Sequence, residues 1–201
     1  MSEGQRPYFD ALYARSDDPY ELRYRWYESR KRDVLLAALP QPHYGKAYEP
    51  GCGAGELTHA LAPRCGRLLA SDFSDRAVQI ARGRTREWSH VHVERQSLPG
   101  DWPHDADPFD LIVLSEVGYF LSRDDMQRVA ECCEASLAAD GTLVACDWRP
   151  GFQQRSLSTD EVHGILGALG LARLVRHEED DFVLHVWARD GRSVARREGI
   201  R

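Results

Sequence analysis

The stretch that most constrains this chain is Lys46-Ala47-Tyr48-Glu49-Pro50-Gly51-Cys52-Gly53-Ala54-Gly55-Glu56-Leu57-Thr58. It reads as the end of a buried strand, then glycine at every second position, then the first turn of a helix. Gly51, Gly53 and Gly55 have no Cβ, so a ligand can approach the backbone closely. Glu56 in the first turn, with Leu57, Ala60 and Leu61 behind it, marks a helix start. A dinucleotide would lay its pyrophosphate on such a helix N-terminus and wants G-x-G-x-x-G. Here Glu56 stands where the third dinucleotide glycine would be. Its carboxylate suits the helix dipole but repels a pyrophosphate, which argues against an NAD-dependent oxidoreductase.

The rest of the chain alternates. Short apolar or β-branched runs at 46–49, 67–71, 90–94, 111–115 and 141–146 are separated by helical patterns near 55–62, 75–87 and 123–138. Met126, Val129, Ala130, Cys133 and Leu137 repeat at helical spacing. Such alternation predicts right-handed βαβ units and a parallel sheet. After Gly151 the pattern changes: a helix over 159–169, then two strands, 171–178 and 182–188, flanking Glu179-Asp180-Asp181 as a hairpin. Ahead of the glycine turn, Asp17-Asp18-Pro19 predicts a helix from Tyr20 to Leu39, stopped by Pro40. Leu22, Trp26, Leu35, Leu36 and Leu39 would form its buried stripe, and its arginines and aromatics fit a lid. The layout is one domain over 1–201, with a helical lid at 7–40, a ligand-binding core at 41–150, and a helix and hairpin at 151–201. The basic tail from Arg192 is expected to fray.

Composition narrows the function. The net charge of −6 argues against a phosphate-backbone binder. Cys52, Cys65, Cys132, Cys133 and Cys146 form no C-x-x-C pair and read as buried small hydrophobes in a reducing compartment. Met1-Ser2-Glu3-Gly4-Gln5-Arg6 has no apolar signal core, and the longest apolar stretch, Leu111 to Leu121, is short and holds Glu116. A cytoplasmic protein with no membrane contact is expected, monomer or homodimer.

Asp72 lies 21 positions after Gly51, at the end of the second run. An acid there accepts the ribose hydroxyls of an adenosine ligand, and Phe73 can pack on the adenine. The alternative, a helix cap, is open to Ser74 or Asp75. S-adenosylmethionine carries a sulfonium cation and no phosphate, so an acidic glycine-rich turn suits it. Glycine turn and spaced acid together resemble the class I S-adenosylmethionine-dependent methyltransferases. That resemblance implies a three-layer, doubly wound α/β fold: a mostly parallel seven-stranded sheet with an antiparallel last strand. It implies that Tyr20, Arg30, Glu49, Gly51, Cys52, Gly53, Gly55, Asp72, Phe73, Ser97, Leu98 and Ser115 hold the cofactor, Arg30 meeting its carboxylate. Ser97 stands where the class often has an adenine-binding aspartate.

A narrower resemblance spans nearly the whole chain. Asp18-Pro19-Tyr20, Trp26-Tyr27-Glu28-x-Arg30-Lys31-Arg32, Glu49-Pro50-Gly51-Cys52-Gly53, Trp102-Pro103, Ser115-Glu116-Val117-Gly118-Tyr119 and Val162-His163 are similar to the nodulation protein S family of N-methyltransferases. Asp147-Trp148-Arg149 departs from the His-Trp-Arg expected there. The resemblance implies methylation of a small-molecule amine, such as an amino sugar or oligosaccharide. O-methylation and a non-catalytic, cofactor-binding regulatory module are the alternatives. An amine must be neutral to attack, so a proton acceptor is needed. Glu116, one residue past a buried strand, is the first candidate against a structural salt bridge; His163 is the second, against a structural role on its helix. Tyr119, Asp147 and Trp148 would border the substrate, and no metal is expected.

Overall fold

Seven strands form the sheet: β1 (Tyr44–Pro50), β2 (Cys65–Asp72), β3 (Val91–Arg95), β4 (Phe109–Ser115), β5 (Leu137–Trp148), β6 (Ala172–Glu178) and β7 (Phe182–Ala188). The computed structural model describes residues 6–104 and 107–201. Helices α1 (Arg6–Arg15), α2 (Trp26–Ala38), α3 (Glu56–Leu61), α4 (Asp75–Arg84), α5 (Arg123–Ser136), α6 (Thr159–Gly167) and α7 (Val194–Arg197) accompany them. Strand order is β3-β2-β1-β4-β5-β7-β6. The first five strands pair in parallel. β7 runs antiparallel to both β5 and β6. This is the mostly parallel sheet with an antiparallel last strand that the sequence predicts.

Side chains alternate across the sheet, and both faces are covered, so the central strands are apolar throughout. Leu111, Val113, Val144 and Cys146 pack with Leu35 of α2 and Leu61 of α3. Ile112, Leu114, Leu143 and Ala145 face the other way, onto Met126 and Val129 of α5 and Val162 and Leu166 of α6. Among the described residues, no helix is long and apolar enough to cross a membrane.

The N-terminal region departs from expectation. Asp18 does not open a helix at Tyr20. Its carboxylate accepts from the backbone N–H groups of Leu22 (2.8 Å) and Arg23 (3.0 Å). Glu21 is left-handed, with φ +56°, so the turn closes on itself and the helix starts only at Trp26. Trp26 is consequently 74% exposed and lies outside the buried stripe. A further helix, α1, precedes it and buries Phe9 and Tyr13, an i, i+4 aromatic pair. The tail also differs from a frayed end: Ser193 caps α7, and the Arg197 guanidinium donates to the Asp190 carbonyl (2.6 Å). Of the five cysteines, all but the half-buried Cys132 are buried.

Candidate active site

Between β1 and β4 the chain order reverses: the connection after β1 leads to one side of the sheet and that after β4 to the other. In open α/β sheets this leaves a crevice at the carboxyl ends of the strands. A cavity of about 450 Å³ opens there, its walls including Gly51, Gly53, Asp72, Ser115, Glu116 and Trp148. Gly51 and Gly53 adopt φ of +75° and +53°. A Cβ on Gly51 would come within 2.7 Å of Val117 Cγ2, and one on Gly53 within 2.8 Å of the Tyr13 hydroxyl. Only glycine fits both the backbone and the space.

Three acids line one end of this cavity. Asp72 is buried and accepts from the N–H groups of Gly53 (3.0 Å) and Ser74 (2.9 Å). Burial, partly offset by those N–H groups, pushes its carboxyl up to about 6. Two of its roughly four lone-pair positions are thereby used. Ser74, not Asp72, caps α4. Glu49 is buried, and its Oε2 has no hydrogen-bond partner among the described residues. Burial, opposed by Thr58 and reinforced by Asp72, pushes Glu49 up to about 8. Glu56 is neutralised by Arg23 (2.5 Å) and Arg84 (2.9 Å). Phe73 lies edge-to-face on Phe9 of α1, with centroids 5.3 Å apart.

At the other end, Glu116 directly follows β4 with φ +59°, a conformation that costs an ordinary residue about 1–2 kcal/mol. Four contacts hold it. Its N–H donates to the Cys146 carbonyl (3.0 Å). Its Oε1 accepts from Lys31 Nζ (2.6 Å). Its Oε2 accepts from the Tyr119 hydroxyl and from the Trp148 backbone N–H (3.0 Å). The structural salt bridge weighed against a catalytic role is therefore present, with Lys31 as the partner, and Lys31 also pairs with Glu28 at 2.9 Å. Burial lowers the Lys31 pKa, but the carboxylates of Glu116 and Glu28 outweigh it and hold the ammonium above its usual range.

The structure gathers Tyr20, Glu49, Gly51, Cys52, Gly53, Asp72, Phe73, Ser115, Glu116, Tyr119 and Trp148 around this cavity. It does not bring the remaining candidates there. Gly55 serves packing: a Cβ would sit 2.9 Å from Ala81 of α4. Arg30 forms a bidentate pair with Glu179 at 2.8 and 2.7 Å, while Arg25 and Arg32 line the cavity instead. The Ser97 N–H donates to Asp101 (2.9 Å), and Leu98 belongs to the core beside Trp102. Asp147 and His163 lie behind the sheet. Cys146 and Trp148 point to the cavity, so the intervening Asp147 points away, toward His163 Nε2 at 3.1 Å. Sequence reasoning missed Lys31 and Glu28 as site residues. Their i, i+3 spacing, with Leu35 four residues on, was the available signal that this face of α2 is buried.

The family model for nodulation protein S (NodS) matches residues 11–157. Nodulation protein S of Bradyrhizobium diazoefficiens is 33% identical over 147 residues, covering 69% of this chain and 66% of that relative. Nodulation protein S of Rhizobium tropici is 33% identical over 116 residues, 57% of this chain and 48% of the relative. The chain thus spans about half to two thirds of the length of these curated relatives. The crystal structure of N-methyltransferase NodS from Bradyrhizobium japonicum WM9, in complex with S-adenosyl-L-homocysteine, superposes with a TM-score of 0.80 at 28% identity, covering 90% of this chain and 96% of that one. A match running from α1 through the cavity walls to the residues after β5, together with this shared fold, makes the chain a member of the nodulation protein S family.

Proposed function

We propose that this protein is an S-adenosylmethionine-dependent methyltransferase acting on an amine of a small molecule. The observation that carries the reading is the buried, unpartnered Glu49 carboxylate oxygen in a cavity floored by left-handed glycines. A buried acid without a donor is costly and is offset when a cationic ligand supplies one; S-adenosylmethionine carries an ammonium and a sulfonium. Asp72, with acceptor capacity to spare beyond Gly53 and Ser74, suits two ribose hydroxyls. Phe73 offers the adenine an apolar wall. The relative solved with S-adenosyl-L-homocysteine supports the same assignment.

The cofactor supplies an activated methyl group: the acceptor nitrogen forms the new C–N bond as the C–S bond breaks, and sulfur keeps the electron pair. The chain's own residues hold the acceptor and receive its proton. Glu116 uses three of its lone-pair positions on Lys31, Tyr119 and Trp148, leaving one on Oε1 for an ammonium proton. Holding the amine in line contributes about 7–11 kcal/mol. Tyr20, Tyr119 and Trp148 wall the acceptor side, and residues 7–40 act as the lid. The net charge of −6 supports a small-molecule acceptor over a nucleic acid.

Calorimetry should detect S-adenosylmethionine or S-adenosylhomocysteine and no NAD. Asp72→Asn should weaken that affinity about 10-fold or more, since a hydrogen bond to a charged group contributes about 1.5–3 kcal/mol. Binding of NAD alone would overturn the reading. Product profiling with methyl-labelled cofactor then identifies the acceptor.

A further inference from the structure

We propose that Lys31 is a positioning residue of this reaction: its ammonium, held between Glu28 and Glu116 in the cavity wall, pairs with the Glu116 carboxylate and aims it at the acceptor. The proposal rests on the amine-methyltransferase reading above. Lys31, 7% exposed, is the only buried lysine or arginine among the described residues, and burying a lysine is costly unless it is paired. Its two partners differ. Glu28 lies one turn away on α2, whereas Glu116 lies 85 residues further along the chain, at 2.6 Å. Glu116 sits in a backbone conformation that persists only where surrounding contacts over-determine it, and Lys31 supplies the one charged contact among them.

The charges in this wall leave Lys31 shared. Tyr27, Glu28 and Lys31 face Glu116 from α2, Tyr20 from the loop before it, Tyr119 from the turn after β4, and Cys146 from β5, while the Asp147 carboxyl lies on the opposite face of that strand. Glu28, Lys31 and Glu116 together carry one net negative charge, which an acceptor ammonium would balance. A carboxylate beside a cation favours its charged form, and a second carboxylate competing for that cation opposes this. Glu28 therefore moderates what Lys31 does to Glu116.

The Trp148 backbone N–H donates to Glu116 Oε2 at 3.0 Å, so its amide resonance reports the ionisation of that carboxylate without any methyl acceptor. A pH titration of ¹⁵N-labelled protein followed at this amide tests the proposal, with Glu116→Gln identifying the inflection by abolishing it. Lys31→Met should raise the midpoint by about one pH unit or more, Lys31→Arg should restore it, and Glu28→Gln should lower it. If Lys31→Met does not fold, Glu28→Gln and Lys31→Arg still carry the test. A midpoint unmoved in Glu28→Gln, or unmoved in a folded Lys31→Met, overturns the proposal. Because no acceptor or cofactor is added, such a failure leaves the methyltransferase reading intact, and calorimetry judges that reading separately.

Discussion

Two buried polar clusters flank the end of β5, one on each face of the sheet. On one side Glu116, Lys31, Glu28 and Tyr119 border the cavity, and the Glu116 side chain is 27% exposed to it. On the other, Asp147, His163 and His185 form a chain away from it. His163 Nε2 lies 3.1 Å from Asp147, and the two histidine Nδ1 atoms are 2.9 Å apart. His163 can donate from Nε2 to Asp147 and accept at Nδ1 from His185, while Asp147 Oδ1 and His185 Nε2 have no hydrogen-bond partner among the described residues. Burial, with His163 adding to it, pushes His185 down to about 4, in keeping with a neutral ring. The clusters contain the same chemistry, carboxylates beside proton-bearing groups. They differ in access: one opens to the cavity, while the other is enclosed between β5, β7 and α6. A titratable group becomes a reagent only where a cavity reaches it.

The largest expected effect breaks the comparison if it falls on both sides. Glu116→Gln keeps the shape and loses the base, so turnover should fall about 10²–10⁴-fold while cofactor affinity survives. His163→Leu should leave turnover near the wild-type value. Steady-state kinetics on the acceptor found by product profiling decides. Equal losses would place the chemistry, or its control, behind the sheet.

Stability should show the reverse order. His163→Leu leaves the buried Asp147 carboxylate and His185 without their partner. That costs about 1–3 kcal/mol, a drop of roughly 2–12 °C in Tm for a chain of this size. Thermal denaturation of both variants checks it; a His163→Leu protein as stable as the wild type would remove the structural role.

The remaining effect is one of pH. Glu49 belongs to the cavity and its folded pKa is raised from 4.5 to about 8. The folded state therefore binds its proton more tightly than the unfolded chain, and this group's contribution to stability falls as pH rises between those values. His185 has the opposite sign: lowered from 6.5 to about 4, it adds stability as pH rises through that window. Glu49→Gln should remove the declining part of the profile of the ligand-free protein, by no more than about 1.4 kcal/mol per pH unit. Melting temperatures from pH 5 to 8 measure it; parallel wild-type and variant profiles would show that Glu49 does not titrate there.

The sequence by itself determined the elements that depend on neighbours along the chain. The glycine turn, the acid 21 residues later, the strand–helix alternation and the terminal hairpin are local patterns, legible because backbone preference and hydrophobic period act over a few residues. From them followed the parallel sheet, its edge site, and Asp72 and Glu116 as its acids. Only the tertiary structure decided which side chains meet. Arg30 joins Glu179 across 149 residues of chain, and Lys31 reaches Glu116 across 85, although both lie on one basic helix face in the sequence. Asp147 and Trp148 are neighbours in the chain, yet the two-residue period of a strand sends them to opposite faces. A polar residue's partner is set by packing between distant elements, and no local pattern carries that information.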